Sequence, residues 1–335
     1  MVKKLNLVNK YIIIILVLVF FSCQKSQKID SSFEEVHGCM DSKALNFNVL
    51  ATIDDQNCDY LGCTDPEAIN YYSGATIDDG NCLTGEQIPE GHLLFWNDEF
   101  NSDALNLDFW NIESWWAGAY NNELQSYTDN QNNLTLQNGY LYIRAQKETP
   151  FNPSQPAYTS GRITTKDKVE LQYGYWEVKA KLPSGNGTWP AIWMLNSIID
   201  SIPWPNSGEI DIMEHVGYDP NRVFFSIHNE NLFGDVHGTD QQGIYQYDEI
   251  EDDFHTYSVE WDSNSIKGFV DGNQYFNINK SANSNYSQWP YENSFFLILN
   301  LAIGGEWGGA QGVNNSIFPS SFIIDYVRIF TKKEI

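Results

Sequence analysis

Three carboxylates fall within six residues in Gly208-Glu209-Ile210-Asp211-Ile212-Met213-Glu214-His215, with apolar residues between them. The β-branched content of the stretch predicts a strand, and side chains on a strand alternate between its faces. Glu209 and Asp211 then share one face while Ile210 and Ile212 point into a core. Strict alternation would put Met213, not Glu214, beside the two acids. A one-residue β-bulge at Ile212-Met213 resets the count and returns Glu214 to the acidic face, a device common next to active sites. Three like charges on one wall raise the pKa of at least one member, leaving a proton donor beside an ionised acid. Such a pair suits cleavage of a glycosidic bond: one carboxylic acid protonates the leaving oxygen, and the other carboxylate attacks the anomeric carbon or activates water. The longer reach of Glu209 and Glu214 assigns them to the chemistry and Asp211 to their support. An exposed acidic strand edge and a calcium cluster are the competing readings. Calcium favours loops with glycine and backbone carbonyls, and this segment is too apolar between its acids for that.

A strand of this kind needs a sheet behind it. From Leu93 onward the chain consists of short β-rich segments such as Tyr140–Arg144, Tyr175–Lys181 and Thr256–Trp261, separated by Asn, Gly, Ser and Pro, with no long amphipathic helix. Many short strands over some 240 residues predict one all-β sandwich. The formal net charge of −25 over 335 residues excludes a nucleic-acid binder that must neutralise phosphates. It also disfavours anionic polysaccharides and leaves neutral glucans as the better substrate. All eleven tryptophans lie from Trp96 onward, where aromatic rings can fill the core or stack on sugar faces. The six histidines lack metal-site spacing, and neither a P-loop nor a dinucleotide fingerprint is present.

The N-terminal part differs in kind. Lys3, Lys4 and Lys10 precede an apolar run from Tyr11 to Phe21, the length of a signal-peptide core and short for a membrane span. The run ends in Phe20-Phe21-Ser22-Cys23, which resembles a bacterial lipobox and implies export with a lipid anchor at Cys23; plain secretion is the alternative. The other four cysteines lie between Cys39 and Cys82. Residues 38–58 and 62–82 match at a 24-residue offset, sharing Gly-Cys-x-Asp-x-x-Ala-x-Asn and Ala-Thr-Ile-Asp-Asp-x-Asn-Cys. Units this small depend on a covalent staple, and the simplest pairing is Cys39 with Cys58 and Cys63 with Cys82. Their acidic ends, Asp54-Asp55-Gln56-Asn57 and Asp78-Asp79-Gly80-Asn81, read as solvated turns or as calcium ligands. The division is therefore a signal at 1–22, a linker at 23–37, two repeats at 38–82, a linker at 83–92 and a catalytic unit at 93–332.

The acid motif also resembles the active-site strand of glycoside hydrolase family 16, in its bulged, laminarinase-like branch. Other segments resemble that family in order: Trp96-Asn97-Asp98-Glu99-Phe100, Asn121-Asn122-Glu123-Leu124-Gln125, Tyr158–Ile163, Tyr173–Glu177, Leu182–Gly185, Trp189–Met194, Asp253–Tyr257, Val270-Asp271-Gly272, Leu299–Gly305 and Asp325–Ile329. The resemblance implies a jelly roll with a concave sugar-binding cleft and endo-hydrolysis of β-1,3-glucan by a monomer. Mixed-linkage glucanase, agarase-like or carrageenase-like action, transglycosylation and noncatalytic glucan binding are the alternatives. It further implies Glu209 as nucleophile, Glu214 as acid/base, Asp211 as the residue tuning the nucleophile, and retention of anomeric configuration. Asn121 and Arg162 match positions that hydrogen-bond sugar hydroxyls, and Trp189 and Trp193 match cleft residues that stack on glucose. Trp204 and Trp307 match the rim, and His228 a position near the acids. His215 is expected to face away from Glu214. No cofactor is required for the chemistry, and a structural calcium is implied on the convex side at Glu99, Gly139 and Asp325.

Overall fold

In the strand Gly174–Lys181 every second side chain is buried: Trp176, Val178 and Ala180 are at most 1 % exposed, while Tyr175, Glu177 and Lys179 are partly open. Period-two burial of this kind is the mark of a strand with one face in a core. The computed structural model describes residues 35–42, 44–102, 104–149 and 157–333. The segment expected to be an export signal, with Cys23, lies outside the described residues. No helix among the described residues is long and apolar enough to cross a membrane.

Two sheets pack face to face as the β-sandwich that the strand pattern predicts, in the jelly roll that the family resemblance implies. Among the described residues, ten strands join in one sheet. Its path runs through Asn273–Asn279, Ser265–Val270, His255–Trp261, Gly174–Lys181, Ser320–Lys332, Tyr140–Lys147, Tyr158–Ser160 and Gln125–Tyr127. The other sheet has eight, in the order Gln242–Gln246, Arg222–His228, Glu209–Glu214, Thr188–Asn196, Phe295–Ile303, Arg162–Thr164 and Asn111–Ile112, with Glu170–Leu171 also on Phe295–Ile303. One apolar cluster fills the space between them, drawing Trp176, Val178 and Val327 from the first sheet and Ile192, Met194, Ile210, Leu297 and Leu299 from the second. Each fully buried side chain of this size contributes about 1.5–3 kcal/mol.

The acid strand is flanked by Thr188–Asn196 and Arg222–His228, both antiparallel to it. Phe295–Ile303 is buried at all nine positions, because the core covers one face and cleft side chains cover the other. Its sequence, Phe-Phe-Leu-Ile-Leu-Asn-Leu-Ala-Ile, is correspondingly apolar throughout save for Asn300.

Ahead of the sandwich sit the two repeats, each closed by its own disulfide, Cys39–Cys58 and Cys63–Cys82. Each holds one pair of two-residue parallel strands, His37–Gly38 with Ile53–Asp54 and Leu61–Gly62 with Ile77–Asp78. Internal bonds recur at the 24-residue offset. Asn46 Nδ2 donates to the Asn57 carbonyl at 2.6 Å as Asn70 Nδ2 donates to that of Asn81 at 2.9 Å. In the acidic ends, Asp54 and Asp55 accept from the backbone N–H groups of Gln56 and Asn57, and Asp78 and Asp79 do the same for Gly80 and Asn81. These are side-chain-capped turns.

Candidate active site

Register places the acids. From Asp211 to Glu214 the acid strand advances three residues while its partner advances two, from Ser226 to Phe224. On the other side Met213 pairs with Ile192 and Asp211 with Trp193, so Ile212 is the surplus residue of a bulge. Ile210, Ile212 and Met213 are all 0 % exposed in the core, and Glu209, Asp211 and Glu214 come to the opposite face together.

Cross-strand neighbours complete the cluster. Glu209 lies directly opposite His228, whose Nε2 is 2.9 Å from Asp211 Oδ2 and 3.8 Å from Glu209 Oε1. Ligand atoms of Glu209, Asp211 and His228 all lie within 4.8 Å of one another, close enough to hold a divalent ion. Trp189 donates its indole N–H to Glu214 Oε1 at 3.0 Å. Burial pushes Asp211 and Glu209 well above the usual carboxylate range, and each is raised further by a neighbouring acid. Glu209 and Asp211 also share a hydrogen bond, which raises Glu209 and lowers Asp211. Glu214 is raised by burial too, and held back by His228, the Trp189 N–H and His237. All three acids are thus shifted toward the protonated form relative to exposed carboxylates.

The remaining residues line up in a row across the sheet. Arg162 pairs with Asn300, Asn300 with Ala191, and Ala191 with Glu214, so the small Ala191 lies between Asn300 and the acid. Trp189 and Trp193 both point to the cleft face, as their four-residue spacing requires. Neither ring is free on all sides. Trp193 donates to Asn300 Oδ1 at 2.7 Å and has the Arg162 guanidinium 4.9 Å above it, and Trp189 packs edge-to-face on Trp307 at 5.5 Å. Arg162 is ion-paired through Nε to Glu113. Trp307 further contacts Phe224 and His237, whereas Trp204, 43 % exposed, stands at the rim against Phe233. Asn121 takes a positive φ of 47° and places its amide 3.3 Å from Glu123 Oε1. His215 points away from the cleft, held by the Arg222 carbonyl and Glu251.

Several cleft residues were not singled out from the sequence. Glu123 accepts from Gln125 Nε2 at 2.6 Å and from Tyr127 OH at 3.3 Å, and its charge reaches Glu214. Tyr127 OH in turn accepts from Asn300 Nδ2 at 3.1 Å. Beside them Trp115, Trp116, Tyr120 and Arg162 line a hollow next to Glu123. A readable signal existed for Asn300, the lone polar side chain in an apolar strand. None existed for Phe233, which arrives on a loop.

Comparison with known proteins adds the family. The model of glycosyl hydrolases family 16 matches residues 113–327. The chain is a family 16 glycosyl hydrolase. This glycosyl hydrolase is 39 % identical over 245 residues to a β-glucanase of Rhodothermus marinus, covering 71 % of this chain and 84 % of that one. It is similar to the crystal structure of laminarinase from Flavobacterium sp. UMI-01, at 40 % identity and a TM-score of 0.65 over 71 % of this chain and 100 % of that one. It also resembles SCLam, a non-specific endo-β-1,3(4)-glucanase, at 38 % identity and a TM-score of 0.67, covering 73 % and 93 %. The enzyme thus stands among laminarinases and endo-β-1,3-glucanases in sequence and in fold.

Proposed function

We propose that this hydrolase cuts neutral β-1,3-glucan internally with retention of anomeric configuration. The observation that carries the reading is the bulge at Ile212, which sets Glu209 and Glu214 on one face of one strand with Asp211 between them. In this mechanism a Glu209 oxygen attacks the anomeric carbon as the glycosidic C–O bond breaks, and Glu214 gives its proton to the leaving oxygen. Glu214 then takes a proton from water, whose oxygen displaces Glu209 from the sugar. The Trp189 N–H occupies Glu214 Oε1, leaving Oε2 to carry the transferred proton. Asp211 steadies Glu209 through their shared hydrogen bond. Asn121 and Arg162 bind hydroxyls, Trp189 and Trp193 form the floor, and Trp204, His228 and Trp307 flank the bond that is cut. Similarity to laminarinases supports the β-1,3 linkage. Similarity to a non-specific β-1,3(4)-glucanase supports mixed-linkage cleavage as the second activity.

The test is a reducing-sugar assay on laminarin, lichenan and agarose with anomers followed by NMR. Laminarin should be cleaved fastest with the β-anomer released first. An α-anomer as first product sinks retention, and agarose as the best substrate sinks the glucan reading. Metal at Glu209, Asp211 and His228 is the competing use of those ligands; hydrolysis unaffected by EDTA is expected, and loss restored by a divalent ion would replace the acid-pair mechanism. Export and anchoring through Cys23 complete the proposal, checked by whether a Cys23→Ala protein leaves the membrane fraction.

A further inference from the structure

The three places where family resemblance puts a calcium ion all face the second repeat. Asp325 gives one oxygen to the Asn81 side-chain amide at 2.9 Å and the other to Lys179 Nζ at 2.8 Å. Both oxygens of Glu99 accept from the guanidinium of Arg328, each at 2.9 Å, and the same Arg328 donates to the Asn81 carbonyl at 2.9 Å. At Gly139 an added Cβ would lie 3.6 Å from Leu61 of the repeat and 3.1 Å from Asn101 Oδ1. Asn101 Nδ2 in turn donates to Asp79 at 3.0 Å. Each carboxylate of the anticipated metal set therefore already has a cation: Lys179 on Asp325 and Arg328 on Glu99. A divalent ion here would have to displace an ammonium and approach a guanidinium. One oxygen, Asn101 Oδ1, is buried without a partner, but calcium takes six to eight oxygen ligands. The residues as arranged do not fit the metal.

We infer that the second repeat is a built-in plug: its Asp79–Asn81 turn, with Lys179 and Arg328, closes the back of the sandwich at the place where the family resemblance implies a metal. The first repeat supplies the internal control. Asp55 and Asn57 make the same capped turn as Asp79 and Asn81, yet they are exposed while their counterparts are half-buried against the catalytic unit. The sequence is duplicated and the contact is not. Docking also fixes the closing strand, because Asp325 and Arg328 both belong to Ser320–Lys332, which pairs with His92–Asp98, Tyr140–Lys147 and Gly174–Lys181.

The experiment is thermal unfolding of the full chain followed by tryptophan fluorescence, which reads the catalytic unit alone because every tryptophan lies at Trp96 or beyond. Asn81→Asp sets a carboxylate against Asp325, and Asn57→Asp makes the same change in the first repeat. Asn81→Asp should melt about 2–4 °C below Asn57→Asp, and Asn81→Ala should fall below Asn57→Ala in the same direction. The wild-type midpoint should be unmoved by millimolar EDTA or calcium chloride. A midpoint that EDTA lowers and calcium restores, or that calcium raises most in Asn81→Asp, overturns the plug in favour of a metal. Equal melting of the paired variants overturns it in favour of an undocked repeat.

Discussion

The two outer faces of this sandwich both carry buried acids and treat them oppositely. On the back, Glu99 and Asp325 are each met by a permanent cation, Arg328 and Lys179. In the cleft, the imidazole of His228 lies beside Glu209 and Asp211, and the Trp189 N–H lies on Glu214. Burial raises both Glu99 and Glu209, but Arg328 restrains the first while Asp211 drives the second higher. A paired acid holds strands together. An acid with no permanent cation beside it is shifted toward its protonated form, and the fold carries the cost of having it there.

The largest expected effect breaks the cleft side of that comparison. Glu214→Gln should lower kcat on laminarin by about 10²–10⁴-fold, with Glu209→Gln at least as severe, while both still bind oligosaccharide in a titration. Wild-type-like turnover in either variant removes its assigned role. On the back face the opposite pattern is expected. Arg328→Met leaves Glu99 buried and uncompensated, so urea unfolding should show a loss of about 3–5 kcal/mol, with specific activity retained by the folded fraction. If Arg328→Met costs nothing, the back face is not held by this pair.

A third outcome reverses the usual sign of a mutation. The Glu209 pKa is raised in the folded state, so its contribution is fully favourable below the unfolded pKa and is lost as pH rises through the folded one. Glu209→Gln, which mimics the protonated form, should therefore be more stable than wild type at pH 7 by on the order of 1–3 kcal/mol and match it near pH 4. A destabilised variant at pH 7 would show that the ionised carboxylate is better accommodated than its burial implies. The smallest effect sharpens the role of Trp189. Its N–H lowers the pKa of Glu214, so Trp189→Phe should move the alkaline limb of kcat/KM upward by up to about one pH unit. A limb moving downward would separate that limb from Glu214.

Much of the cleft was legible because strand alternation is local. Glu209, Asp211 and the core-facing Ile210 follow from period two, and Trp189 and Trp193 share a face by the same rule. The 24-residue repeat and its cysteines could likewise be read directly. Contacts between distant segments could not. Glu123 approaches Glu214 from a loop some 90 residues earlier, and Arg162 lies over Trp193 with Glu113 at its Nε rather than standing free.

The amino-acid order by itself determined the strand and the shared face of Glu209 and Asp211, because side-chain direction along a regular extended chain depends only on the count of residues, and it showed that Glu214 needs a bulge to join them. Tertiary structure decided who stands opposite: His228 beside Glu209, the Trp189 N–H on Glu214, and Asn81 of one repeat, not Asn57 of its twin, against Asp325. Register between strands and the docking of one unit on another are set by packing across the whole molecule, which no local spacing records.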